Sequence, residues 1–251
     1  AIATMQRLSN DPQFSSSGRA SGELFILRGV QVSRAIRSLT HSGVRVNQIG
    51  TGGPVYSVSS ITKDEQCKHL KLFPKLSSLS MGGTGITDAC IEHLSKAKTL
   101  NSLNLTTSNI SSKGIAQMKS LNNLSRLSLS GTVPTANILE VAKLKQITSL
   151  QLSAKLAEDG LKAIAQLPLS SLMLQNIEVS ANTAEIMRDV KAHQLILSMT
   201  SIEDSDLEWI KGCKAASINL NIYNAKKLTD KGIRSLENTN ITQLQLSTTG
   251  I

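Results

Sequence analysis

Four groups of residues in this 251-residue chain have types that could do chemistry: three cysteines, two histidines, a glycine-rich turn and a run of carboxylates. Cys67, Cys90 and Cys213 form no CxxC pair, so no disulfide framework or zinc site is visible. Cys67 and Cys213 read as small core residues. His69 and His93 could resemble a metal pair, but no third ligand stands in register, and surface histidines are the better reading. The turn GTGGP at 50–54 lacks the following helix with a Lys-Ser or Lys-Thr pair that a phosphate loop requires. Glu203, Asp204, Asp206 and Glu208 crowd a helix N-terminus, where carboxylates interact favourably with the dipole. Their spacing lacks the glycine of a calcium loop, so capping is the favoured role. No Ser/His/Asp set or working carboxylate pair can be argued from position. The sequence is therefore read as non-enzymatic, with no catalytic residue, cofactor or metal.

The elements that would position such residues follow from a repeat. Aligned on LxxLxLxxTxI, the inner strand pairs are Tyr56/Val58, Leu79/Met81, Leu103/Leu105, Leu127/Leu129 and Leu150/Leu152. They continue as Leu172/Leu174, Leu197/Met199, Ile218/Leu220 and Leu244/Leu246. From Leu79 the starts lie 24, 24, 23, 22, 25, 21 and 26 residues apart. A period in the twenties with this pattern is the leucine-rich-repeat signature. In each unit LxL is a short strand whose alternate residues point inward. After a bend, Ile86, Ile91 and Leu94 share one face of a returning helix, with Thr87 and Asp88 at its cap position. Equivalent inward sets are Ile110/Ile115/Met118, Leu156/Leu161/Ile164 and Ile202/Leu207/Ile210. No unit buries its apolar face alone, so stacking is compulsory.

The expected architecture is an α/β leucine-rich-repeat solenoid, with a parallel sheet on the concave side and short helices on the convex side. Residues 1–22 read as a flexible or surface-draped lead-in and residues 23–54 as an N-terminal cap. Residues 55–251 form about eight repeats, the last incomplete. Within the cap, Glu23–Val30 is an apolar run that suggests a strand, and Val32, Ile36 and Leu39 have helical spacing up to Gly43. The array ends mid-unit, so an unpaired strand edge is expected there, covered by further repeats or by another molecule.

The segments ITDACIEHL (86–94), LTDKGIRSL (228–236), AEDGLKAI (157–164) and ISSKGIAQM (110–118) resemble the bacterial leucine-rich-repeat family with a T-D-x-G-[LI]-x-x-[LI] helix start, abundant in planctomycete proteins. AIRSL (35–39), GVRV (43–46) and GPVYSV (53–58) resemble the opening of such arrays, and the similarity spans roughly residues 32–251. The resemblance implies this fold and a binding scaffold rather than one activity. Where other leucine-rich repeats bury an Asn, this chain has Thr84, Ser108, Thr132, Asn176, Ser201 and Thr249, which can bond the turn backbone. Unit length drifts at residues 177–186 and 221–228.

Outward strand residues line the concave face: Ser78, Ser80, Ser102, Asn104, Arg126, Ser128, Ser149, Gln151, Ser171 and Met173, then Ser198, Ser217, Asn219, Gln243 and Gln245. The face has one charge, Arg126, and no aromatic anchor. It suits an extended polar protein partner. Trp209 occupies the helix position of His69 and His93 and is expected to be partly exposed, a convex-side contact candidate.

Net charge is +9. Residues 1–60 carry six arginines, two acids and no lysine, a net +4. Such an Arg-only, Ser-rich start without an initial Met has the composition of an organelle transit peptide; a basic tail is the plainer reading. An organellar or bacterial envelope protein after processing is compatible with it. Lysines from Lys96 to Lys231 fall mainly on helices and their loops. An acidic protein or a membrane surface could dock there, and so could a larger assembly that holds the chain as a structural subunit. Nucleic acid fits poorly without an aromatic stacking platform. No stretch has the length and apolarity of a membrane span.

Overall fold

The computed structural model describes residues 16–50, 53–94, 97–175 and 181–249. Residues 1–15, Thr51, Gly52, Lys96 and Asn176, which figure in the expectations above, lie outside the described residues. Among the described residues the first element is helix α1 (Ser16–His41), followed by strand β1 (Arg45–Gln48) and strand β2 (Val55–Lys63). From there, strands alternate with short helical turns: β3 (Ser78–Gly85), β4 (Ser102–Thr106), β5 (Arg126–Ser130), β6 (Ser149–Ser153) and β7 (Ser171–Gln175). β8 (Gln194–Thr200), β9 (Ser217–Tyr223) and β10 (Ile241–Ser247) complete one sheet in chain order. β1 pairs antiparallel with β2, and every later pair is parallel.

This is a leucine-rich-repeat solenoid. Its register is set by the leucines: Leu79, Leu103, Leu127, Leu150 and Leu172 pair in succession, as do Met81, Leu105, Leu129, Leu152 and Leu174. All are buried against the helices, whereas the residues between them are partly open. A one-residue slip would turn every leucine to solvent, which is why so short a strand holds one register. The connecting helices from Asp64 onward have at most eight residues of α-helix, too few to persist alone. Stacking of Ile86, Ile91 and Leu94 on the neighbouring units' Ile115, Met118 and Leu70 fixes them in one continuous core.

Four expectations are corrected. Residues 23–30 belong to α1 and not to a strand; the run LFIL has no alternation to favour one. In the eighth strand Leu195 and Leu197, not Leu197 and Met199, pair with Leu172 and Leu174. β8 and β9 have seven residues and three inward positions, so LxLxL offers two registers, and hydrogen bonding selects the first. The repeat starts then fall at Leu172, Leu195, Ile218 and Ile241, an even 23 residues apart, with Leu244 and Leu246 opposite Leu220 and Ile222. Tyr56 is 41% exposed, and Val55 and Val58 take the inner positions of β2, where the pairing with β3 is irregular. Finally, Thr84, Thr132 and Ser201 are exposed and do not replace a buried Asn. The buried polar side chain among the described residues is Asn137, whose Nδ2 donates to the Ile110 carbonyl of the preceding unit at 2.7 Å.

Candidate binding face

Because alternate strand residues point away from the helices, the parallel register assembles them into rows, with neighbouring strands about 4.8 Å apart. One row is Ser78, Ser102, Arg126, Ser149, Ser171, Gln194 and Ser217. A second is Ser80, Asn104, Ser128, Gln151, Met173, Ile196, Asn219 and Gln243. A third runs from Gly82 through Thr106, Ser130, Ser153, Gln175, Ser198 and Asn221 to Gln245. All the concave residues expected from sequence lie in these rows. Gln194 and Ile196 join them, as do Gly82, Thr106, Ser130, Ser153, Gln175 and Asn221 of the third row, and correcting the β8 register would have found the first two.

The two halves of the face differ. On β7–β10 several polar groups bond one another: Ser171 Oγ donates to Gln194 Oε1 at 3.4 Å, Asn219 Nδ2 to Gln243 Oε1 at 3.3 Å, and Thr242 Oγ1 to Asn219 Oδ1 at 2.8 Å. Ser153 Oγ donates to Gln175 Oε1, and Met173 and Ile196 interrupt the polar pattern. On β3–β6, Ser78, Ser80, Ser102, Ser128, Ser149 and Gln151 are half-open, and their side chains make no hydrogen bond within the described residues. Arg126, exposed in the centre of this half, is steered by Asn101, whose Oδ1 accepts from its guanidinium at 2.7 Å. Open hydroxyls around one oriented cation form a surface that can donate and accept hydrogen bonds along several strands.

Trp209 is not on any surface. It is 3% exposed, and its Nε1 has no hydrogen-bond partner. The expectation of exposure came from α-helical units, whereas Asp204–Gly212 is a nine-residue 3₁₀ segment with about three residues per turn. Phases carried over from His69 and His93 therefore fail there. In this structure Trp209 offers a partner almost no area.

Of the other chemistry-bearing residues, two cysteines and three carboxylates have structural partners. Cys67 and Cys90 form a buried disulfide, with Cα atoms 5.3 Å apart, which corrects the reading of unpaired cysteines. Their separation of 23 residues is one repeat, so adjacent helices bring them side by side; that spacing was the missed signal. Cys213 is free, and burial pushes its thiol above the ordinary range. Burial, followed by the charges of Lys68 and Lys71, lowers His69 below the usual histidine range. Among the described residues no group of three His, Cys, Asp or Glu could hold a metal. Three of the four carboxylates in the acidic run are absorbed into capping and pairing. Asp206 accepts from the Glu203 backbone N–H at 2.9 Å, Glu203 lies 3.6 Å from Lys227, and Asp204 accepts from Thr229. A shallow, open cleft of about 510 Å³ on the helix side is lined by Gln166, Val190, Lys191 and the Asp189–Lys214 ion pair.

No family model matches this chain, and no curated protein does. Among solved structures it is similar to an internalin (inlF) from Listeria monocytogenes, with 15% identity and a TM-score of 0.41 over 72% of this chain. It spans 56% of that protein. An internalin C2 (inlC2) from the same organism has 15% identity and a TM-score of 0.40 over 76% of this chain and 80% of that one.

Proposed function

We propose that the chain is a non-catalytic recognition module that binds an extended polar segment of a protein partner across β3–β6. The observation carrying this reading is the set of half-open, unbonded Ser and Gln side chains around Arg126, with Asn104 among them, on the sheet face away from the helices. Small side chains let a partner backbone come close, and their unused hydrogen-bonding capacity is what a peptide's own groups need. We also assign the chain to the bacterial, planctomycete-type repeats with T-D-x-G helix starts, a reading supported by the way Asp88 meets Ser111 and Gly114. A second reading, a structural subunit docking by its basic convex face, draws on the exposed Lys113, Lys119, Lys145, Lys211 and Lys226. Affinity capture with the intact protein, repeated with Ser102→Arg and at rising salt, separates them. Concave binding is lost with the substitution, whereas lysine-driven binding is lost with salt.

A further inference from the structure

Helix α1 presents two faces. Val32, Ala35, Ile36 and Leu39 pack against the N-terminal end of the solenoid. At about 100° per residue these four share one arc, and Leu27, Val30, Arg34 and Arg37 share the opposite one. The second group is exposed, Leu27 at 59% and Val30 at 42%. Two apolar side chains thus stand in water on the same ridge as two guanidinium groups. Between Glu23 and Asp64 the sequence has no acid, while Arg28, Arg34, Arg37, Arg45 and Lys63 are basic, so this stretch carries a local positive excess.

We propose that this outward ridge of α1 docks the N-terminal end of the protein on an anionic lipid surface. Leu27 and Val30 enter the boundary between headgroups and acyl chains, while Arg34 and Arg37 pair with headgroup phosphates. The arrangement is interfacial, since no described helix is long and apolar enough to cross a membrane. A convex ridge with two apolar tips suits a deformable surface that closes around it; a protein partner would have to bring its own groove. Two apolar side chains insert weakly, so most of the affinity comes from charge, with each arginine contributing about fivefold. The sheet face of β3–β6 is a separate surface and stays free.

The test is co-sedimentation of the full chain with vesicles of phosphatidylcholine alone or mixed with phosphatidylserine. The protein sediments with the anionic vesicles at low salt and not with the neutral ones. Arg34→Gln/Arg37→Gln lowers vesicle affinity by about 25-fold, and Leu27→Asp/Val30→Asp by about tenfold. Neither pair changes the melting temperature, because these side chains are exposed, and Ser102→Arg leaves vesicle binding intact. Equal binding to neutral vesicles, or anionic binding unaffected by both pairs, overturns the proposal. Retention on polyglutamate without sedimentation on anionic vesicles also overturns it and assigns the ridge to an acidic protein.

Discussion

Asp204 reaches across one repeat to Thr229: its Oδ1 accepts the Thr229 backbone N–H at 2.8 Å and its Oδ2 the Thr229 hydroxyl at 2.6 Å. Asp88 does the same to Ser111 at 2.8 and 2.5 Å, and Asp64 to Thr87 at 2.9 and 2.5 Å. The T-D-x-G spacing therefore describes a staple between units. The Thr or Ser receives the Asp of the preceding unit, and its own Asp position faces the next. The glycine gives the incoming carboxylate room, because a Cβ at Gly232 would lie 2.3 Å from Asp204 Oδ1 and one at Gly114 2.2 Å from Asp88 Oδ1.

Gly114→Ala is expected to destabilise the protein by about 1–3 kcal/mol, because the methyl displaces a carboxylate that holds two hydrogen bonds. Without that contact the substitution would instead gain about 1 kcal/mol of helix propensity. In an Asp88→Ala background the cost should therefore shrink, and a double-mutant cycle in urea measures the coupling. Simple additivity would sink the staple.

The Thr229 hydroxyl, then its backbone N–H, holds the Asp204 carboxyl below its ordinary value of 3.8. A folded-state value that is depressed favours the folded protein above the unfolded carboxyl's titration, and that contribution is lost as pH falls through the folded value. Asp204→Asn should lower stability at neutral pH, where the contribution is fully present, and flatten the fall in stability below about pH 4. Urea midpoints across that range check it.

The Cys67–Cys90 bond closes a loop of one repeat. On the chain-entropy account such a loop is worth about 3 kcal/mol, so reduction or the double Ala variant should lower the unfolding midpoint by a corresponding amount. Cys213, buried and with a raised thiol pKa, should react with a thiol reagent only after unfolding. Three reactive thiols in the unreduced, unfolded protein would exclude the disulfide.

Trp209 is the one tryptophan of the chain, so its emission is a clean probe. A 3%-exposed indole should emit at short wavelength and resist iodide quenching until the fold is lost. Trp209→Phe should be tolerated better than most buried Trp changes, because the indole N–H has no partner to lose. Quenching in the native state at the rate of free indole would place the side chain outside.

The period was legible because burial forces it: Leu103, Leu127 and Leu150 recur wherever the strand meets the helices. The outward rows followed from strand alternation, and so did most of the candidate face. Elements with a second solution were misread. The seven-residue β8 admits two LxL registers, and only inter-strand hydrogen bonds distinguish them. Trp209 depended on helix type, which composition does not reveal. The disulfide was missed because cysteines were paired by sequence proximity, whereas in a stacked array the neighbours lie one repeat away.

Recognition of a partner by the β3–β6 face, as proposed, rests on one comparison of affinities. The most direct measurement is the affinity of the captured partner for the intact protein, for Ser102→Arg/Ser128→Arg and for Lys119→Glu/Lys145→Glu. At least about a 100-fold loss is expected for the serine pair, from long charged side chains filling the trough, with little change for the lysine pair. Unchanged affinity for the serine pair with loss for the lysine pair would contradict it and move recognition to the helix side.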